Sequence, residues 1–354
     1  MRLWLWQEVQ EVLREERLNE APAVRHYPVP CTPPLWARGG HAQTLFGHLL
    51  PSSGRVVQRA TDAHRVITLH DGERLLVFTR PGTSGVRVHL FHGLSGDANA
   101  EYMRRTADRL SARGHEVWSV NHRGCGEGDG LAGKPYHSGK TEDMQAVLAE
   151  SRADAPQLVH LVIGFSLSGN IALLLASKHL DPLPDGLIAV NPPVDIERAS
   201  LDIHRGLCRL YEARFILRLR RSIALRQRAG LTSRPYRIPR SASLCDFDDI
   251  YTAPEAGFEN GLDYYRKCSS LPHLTAIETP AVWISAADDP FVSPATFATA
   301  PRSASVHLHL EPSGGHVGYL ARRGAGYERW LDGALEHYVA ELARAALFQS
   351  PPSS

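Results

Sequence analysis

Short, largely apolar runs recur along the chain, separated by longer stretches with helical spacing. Val86 to Phe91, Val117 to Val120, Leu158 to Ile163, Leu187 to Val190, Ala281 to Ile284 and Val306 to Leu310 are all too short for a stable helix. They read as strands with little solvent contact. Between them, Met103, Ala107 and Leu110 share one helical face that ends at Arg113 and Gly114, a C-terminal stop signal. Thr141-Glu142-Asp143 reads as a helix start, with an oxygen-bearing cap and two acids at the positive end of the dipole. Strands alternating with helices call for right-handed crossovers, which gives an α/β fold with a mainly parallel sheet covered on both faces. Before this alternation begins, Arg65 to His70 and Arg74 to Thr79 flank Asp71-Gly72, the signature of a tight hairpin.

Two regions depart from the alternation. Residues 1 to about 20 place Leu5, Val9, Val12 and Leu13 near helical spacing among mostly acidic charges, which suits packing on the body or on a partner better than a membrane interface. A proline-rich connector, Tyr27 to Pro34, then leads to Leu35 through Leu45, a segment to which chemistry alone assigns no role. From Pro193 to Thr279 strands give way to helix, and Leu207 to Ala229 forms an amphipathic stretch carrying Arg214, Arg218, Arg220, Arg221, Arg226 and Arg228. An insertion there would cover the carboxyl ends of the strands, where open α/β sheets bind ligands. The expected division is therefore an arm over 1–60, a core over 61–193 and 278–354, and a cap over 194–277. The arginines read first as a solvated face, with lipid head groups or a substrate phosphate as the alternative.

Composition narrows the partners. With 39 basic and 38 acidic residues the 354-residue chain carries a formal charge of +1, which argues against nucleic acid. Five scattered cysteines without paired spacing point to a reducing compartment and no structural zinc. No apolar run approaches the roughly 18 residues of a membrane span, and the Met1 to Trp6 run is broken at Gln7 and Glu8. A cytoplasmic protein with at most peripheral membrane contact is expected.

The chemistry centres on Ser166. The strand before it stops at Gly164, and a Leu/Ala-rich helix follows directly, so the serine sits on a sharp strand-to-helix turn that lifts its hydroxyl clear of the sheet. Ser168 stands where a second small glycine is usual. Without partners the serine would simply be a helix N-cap. A serine hydroxyl needs a base to take its proton and an acid to orient that base. His316, in Gly314-Gly315-His316-Val317-Gly318 after the last apolar run, is the base expected among 18 histidines. Asp288 and Asp289 both end the strand that opens at Pro280, and the count along that strand with the following Pro290 favours Asp289. Asp288 would then cap the loop or support its neighbour. The amides of Leu94 and Leu167 are the expected oxyanion donors, with His92 orienting the loop. His307 and His309 share a strand face, but no third ligand is in view, so no metal is assigned.

The combination of Gly40-His41-Ala42-Gln43-Thr44, Phe91-His92-Gly93-Leu94-Ser95-Gly96, Asn121-His122-Arg123-Gly124-Cys125-Gly126, Tyr136-His137-Ser138-Gly139, Gly164-Phe165-Ser166-Leu167, Tyr264 to Ser270, Asp288-Asp289-Pro290 and the His316 loop resembles the YheT-like branch of the α/β-hydrolases, the AB hydrolase 4 family. The likeness runs from about residue 27 to 340. It implies an α/β-hydrolase fold with a helical cap. It also implies a serine carboxylesterase or lipase-like enzyme, with Ser166, Asp289 and His316 as its triad, a small ester or acyl lipid as substrate, and no cofactor. It leaves open transfer of a medium-chain acyl group to an alcohol; Glu127 occupies the place where a transferase-type His-x-x-x-x-Asp pattern after His122 would need aspartate, although Asp129 lies close by. A non-catalytic binding protein on the same scaffold is the remaining alternative.

Overall fold

The structure, a computed structural model, describes residues 24–50, 63–298 and 300–349. The helix read over residues 1 to 20 lies outside them. Eight strands form one sheet in the order β1-β2-β4-β3-β5-β6-β7-β8. They are β1 (Ala63–Thr68), β2 (Arg74–Arg80), β3 (Val86–Phe91), β4 (Glu116–Val120), β5 (Val159–Phe165), β6 (Gly186–Val190), β7 (Ala281–Ala286) and β8 (Val306–Glu311). Only β2 runs against its neighbours; β3 to β8 are parallel throughout. This is the α/β-hydrolase fold the residues imply.

Side-chain alternation along β5 explains the layers. Leu161, Ile163 and Phe165 pack with Met103 and Leu110 of α2 (Glu101–Ala112) and with Leu335, Tyr338 and Leu342 of the C-terminal helix. Val162 points the other way, into the cluster with Met144 and Val147 of α3 (Thr141–Asp154) and Ile171 of α4 (Leu167–Ser177). Both faces are thereby dry, and each fully buried aliphatic side chain contributes about 1.5–3 kcal/mol. The buried charge within β3 is paired: Arg87 meets Glu116 at 2.9 Å and Asp154 at 2.7 Å.

The expected hairpin forms around Asp71-Gly72, while the expected helix start at Thr141 needs correction. The β1–β2 hairpin closes with Leu69 N–H on Glu73 O and Gly72 N–H on Leu69 O, so its loop is a turn over Leu69–Gly72 in which only Gly72 takes positive φ (81°). Asp71 instead accepts from the Glu73 amide and the Arg123 guanidinium. At the start of α3 no side chain caps the helix; Thr141 is already helical, and Asp143 is drawn to Arg123 at 2.6 Å. Burial pushes the Asp143 carboxyl above its ordinary pKa, and Arg123 opposes the rise.

Between β6 and β7 lie α5 (Ile196–Ile203), α6 (Cys208–Arg228), a run of short turns over 244–256, and α7 (Gly261–Cys268). Ile203, Ile216, Ile223, Phe247 and Tyr251 from this insertion join the apolar cluster that contains Leu167 and Ile171. After β8 come a small hairpin, β9 (Leu320–Arg323) with β10 (Gly326–Arg329), and the long C-terminal helix α8 (Trp330–Gln349), none of them marked by the apolar runs. Within the segment that chemistry alone leaves without a role, Gly40–Leu49 forms the helix α1.

Candidate active site

The order of the sheet reverses between β3 and β5, so the loops that leave those two strands meet at its carboxyl edge. Ser166 stands there with φ 52° and ψ −119°, its amide held by Val190 O at 2.7 Å. The turn is tight: a Cβ on Gly164 would lie 2.4 Å from Ser168 O. Although Ser166 precedes α4, its side chain caps nothing. The hydroxyl is left for other work.

His316 arrives from the loop after β8. Its Nε2 lies 2.8 Å from Ser166 Oγ, and its Nδ1 lies 2.9 Å from Asp289 Oδ2. With Nδ1–H given to the carboxylate, Nε2 is free to accept the serine proton. Asp289 has a fully buried side chain and also accepts from Asn191 Nδ2 at 2.8 Å and from the amides of Phe291 and Val292. Asp288 faces away and supports the histidine loop, accepting from Ser313 Oγ and from the Gly314 and Gly315 amides.

Leu94 and Leu167 line the same cavity as Ser166 and His316. A Cβ on Gly93 would sit 3.1 Å from Ser166 Cβ, so the loop after β3 runs directly past the serine. Leu167 is the first residue of α4, and amides in a helix's first turn have no intrahelical acceptor. Among the described residues no backbone carbonyl outside regular helices and strands takes up either leucine amide.

Ser168 is no loose substitute for glycine. Its hydroxyl donates to His92 O at 2.5 Å and lies 2.7 Å from His122 Nε2, which must therefore donate to it. His92 in turn accepts from the His122 amide through Nε2 and meets Gly93 O through Nδ1 at 2.8 Å. Burial holds His92 down at about 4 and His122 well below its ordinary range, so both rings are neutral props of the loop. His122 is committed to Ser168, and Glu127 accepts from Asn99.

The segment without an assigned role braces the base. Thr44 Oγ1 of α1 accepts the His316 amide at 2.9 Å, while Gln43 bonds Leu320 through both its amide oxygen and nitrogen. A second serine–histidine contact, Ser151 Oγ to His160 Nδ1 at 3.0 Å, lies at the opposite end of β5. There the other ring nitrogen faces Ala155 O and the side chains are buried against His89, which makes the contact structural.

The reading of His307 and His309 also needs correction, because His26 supplies a third imidazole. The three offer nitrogens within 4.8 Å of one another. However, His26 and His309 stack with parallel rings 4.1 Å apart, so their in-plane lone pairs do not converge. His309 is engaged by Tyr338 and Glu311. The cluster ties the arm to β8 and α8.

A cavity of about 170 Å³ opens at Ser166, walled by Ile203, Phe215, Leu219 and Phe291 from the insertion and the loop after β7. A serine on a positive-φ elbow with an imidazole and a carboxylate in line, on this sheet, defines an α/β-hydrolase. The chain belongs to the Hydrolase_4 family, described as serine aminopeptidase, S33, which matches residues 84–317. YheT of Escherichia coli, an esterase by name, is 30% identical over 268 residues, which cover 73% of this chain and 78% of that protein. The monoacylglycerol lipase of Saccharomyces cerevisiae is 26% identical over 253 residues; they cover 68% of this chain and 56% of that longer protein. A Pyrococcus furiosus esterase, 17% identical, shares the fold with a TM-score of 0.53 over 84% of this chain and 97% of its own.

Proposed function

We propose that the protein is a serine esterase that cleaves carboxylic esters through an acyl-enzyme. Ser166 Oγ attacks the ester carbonyl as its proton passes to His316 Nε2, and Asp289 stabilises the resulting imidazolium. The Leu94 and Leu167 amides receive the oxyanion; one such donor is worth on the order of a hundredfold in turnover. His316 then protonates the leaving alcohol, and water, activated by the same ring, releases the acid and restores Ser166. The observation that carries this reading is the unbroken hydrogen-bonded path from Ser166 to Asp289 at the mouth of an apolar cavity.

Residues 194–277 serve as the cap that shapes this cavity, and the apolar walls suit an acyl chain. The five free cysteines support a cytoplasmic, reducing setting. Among the described residues no helix is long and apolar enough to cross a membrane. Peripheral contact with an anionic lipid surface is supported by exposed Leu45 and Leu49 on α1 beside exposed Leu210, Arg214, Leu217 and Arg218 on α6. The two helices touch where His41 stacks on Tyr211.

Transfer of the acyl group to an alcohol is the second reading, carried by the family resemblance. A chain-length series of esters, assayed with and without added ethanol, tests both. Free acid as the main product supports hydrolysis, ethyl ester as the main product replaces it with transfer, and no turnover of any ester by the folded chain refutes both.

A further inference from the structure

Arg226 differs from the other arginines of α6. It is only 6% exposed and lines the Ser166 cavity, whereas Arg214, Arg218, Arg221 and Arg228 face solvent. Buried cations elsewhere in the protein are neutralised: Arg87 by Glu116 and Asp154, Arg105 by Glu101 and Asp332, Arg123 by Asp71 and Asp143. Arg329 has no ion pair among the described residues, but it gives both terminal nitrogens to Gly47 O and Leu50 O, at the negative end of α1. Arg226 has neither arrangement. No carboxylate among the described residues pairs with it, one amino group meets Gly133 O, and its buried Nε has no partner.

Tyr251 stands beside it on the cavity wall. Its hydroxyl is buried and, apart from the adjacent Arg226 guanidinium, has no partner. Burial raises the phenol's pKa, and the nearby Arg226 charge works against that rise. The neighbouring acids are occupied elsewhere. Glu255 accepts the Ser233 amide at 2.9 Å and its hydroxyl at 2.5 Å, and Asp248 is held by Thr252 Oγ1 at 2.6 Å and Tyr265 OH at 2.9 Å. The neighbouring Glu255 carboxylate feels the Arg226 charge but spends its hydrogen bonds on Ser233, so the guanidinium keeps donors to spare, and a forked donor beside a phenolic hydroxyl matches a carboxylate or phosphate.

We propose that Arg226 and Tyr251 form a subsite for an anionic oxygen group, a carboxylate or a phosphate, borne by the ester at a distance from its scissile carbonyl. The proposal rests on the esterase reading above for what the cavity binds. Its test does not require turnover.

Binding is measured by calorimetry on the Ser166→Ala chain. Ligands come in matched pairs: monohexyl succinate, adipate and suberate against their methyl hexyl diesters, and hexanoylglycerol phosphate against hexanoylglycerol. The anionic member of at least one pair should bind about tenfold or more tightly, and the responding pair separates carboxylate from phosphate. Adding Arg226→Met should abolish that preference, Arg226→Lys should keep part of it, and Tyr251→Phe should weaken it. Arg228→Met, the same charge change on the exposed side of α6, should leave it in place. Equal affinities within every pair overturn the proposal, as does an equal loss with Arg228→Met and Arg226→Met. If Arg226→Met does not fold, the Lys and Phe variants decide. Failure of a fluorophosphonate to label the wild-type chain, with the anion preference intact, would count against the esterase reading alone.

Discussion

Replacing Ser168 by alanine should damage both stability and turnover, although the residue never touches substrate. Its hydroxyl is the donor to His92 O and the acceptor for His122 Nε2, and all three residues are buried, with exposures of 0%, 0% and 4%. Ser168→Ala therefore strands one carbonyl and one ring N–H. At about 1–3 kcal/mol for each buried polar group left unpaired, the loss is about 2–6 kcal/mol, less about 0.5 kcal/mol gained from alanine's helix propensity. Local relaxation puts the expected value at about 2–4 kcal/mol. His92 O precedes Gly93 and Leu94, so the loop that carries an oxyanion amide loses its anchor, and kcat should fall about tenfold with little change in KM. Urea unfolding monitored by tryptophan fluorescence gives the first quantity and steady-state ester hydrolysis the second. Stability within about 0.5 kcal/mol of wild type together with unchanged kcat would refute the anchoring role.

Other outcomes follow from the same geometry. Asp289→Asn should keep the fold but lower kcat about ten-thousandfold, because the amide favours the wrong imidazole tautomer; Asp288→Asn should cost far less, and equal losses would undo the division between the two. Acid should destabilise the protein. Burial lowers His89 to about 3, His92 to about 4, His137 to about 3 and His122 well down, so below about pH 6.5 the unfolded chain takes up protons that the folded chain refuses, and stability falls as pH drops. Asp248, raised by burial to about 6, and the buried Asp143 and Asp332 carboxyls, also raised, oppose this, but burial lowers His48, His115 and His160 as well, so the depressed imidazoles outnumber the raised acids. Melting curves from pH 7 to about 4.5 should show a falling midpoint, and a flat profile would contradict the neutral rings. Finally, vesicles containing anionic phosphatidylglycerol should retain the chain at low salt, and Leu210→Ser with Leu217→Ser should release it; retention unchanged by those substitutions removes the lipid-facing role of α6.

The parts legible in the sequence were those whose chemistry dictates residue type and order. Ser166, His316 and the aspartate pair lie at the ends of recognisable strands, and the strands themselves stand out as apolar runs. The supporting residues were not legible, because their partners are backbone atoms far along the chain. Gln43 and Thr44 act on Leu320 and on the His316 amide, and Ser168 acts on a carbonyl across the sheet. No spacing rule links such positions. Thr141 reads as a cap from its hydroxyl and the two acids after it, but it is already helical, and the second of those acids, Asp143, pairs with Arg123. Arg226 was indistinguishable from the arginines around it until burial set it apart, and His26 joined His307 and His309 only through the path of the arm.

The most direct test of the mechanism is peptide-level mass spectrometry after brief treatment with an alkyl fluorophosphonate. A single adduct on Ser166, lost in Ser166→Ala and slowed at least a hundredfold in His316→Ala, is the predicted result. An adduct on another serine, or labelling of Ser166 that proceeds as fast without the imidazole, would contradict it.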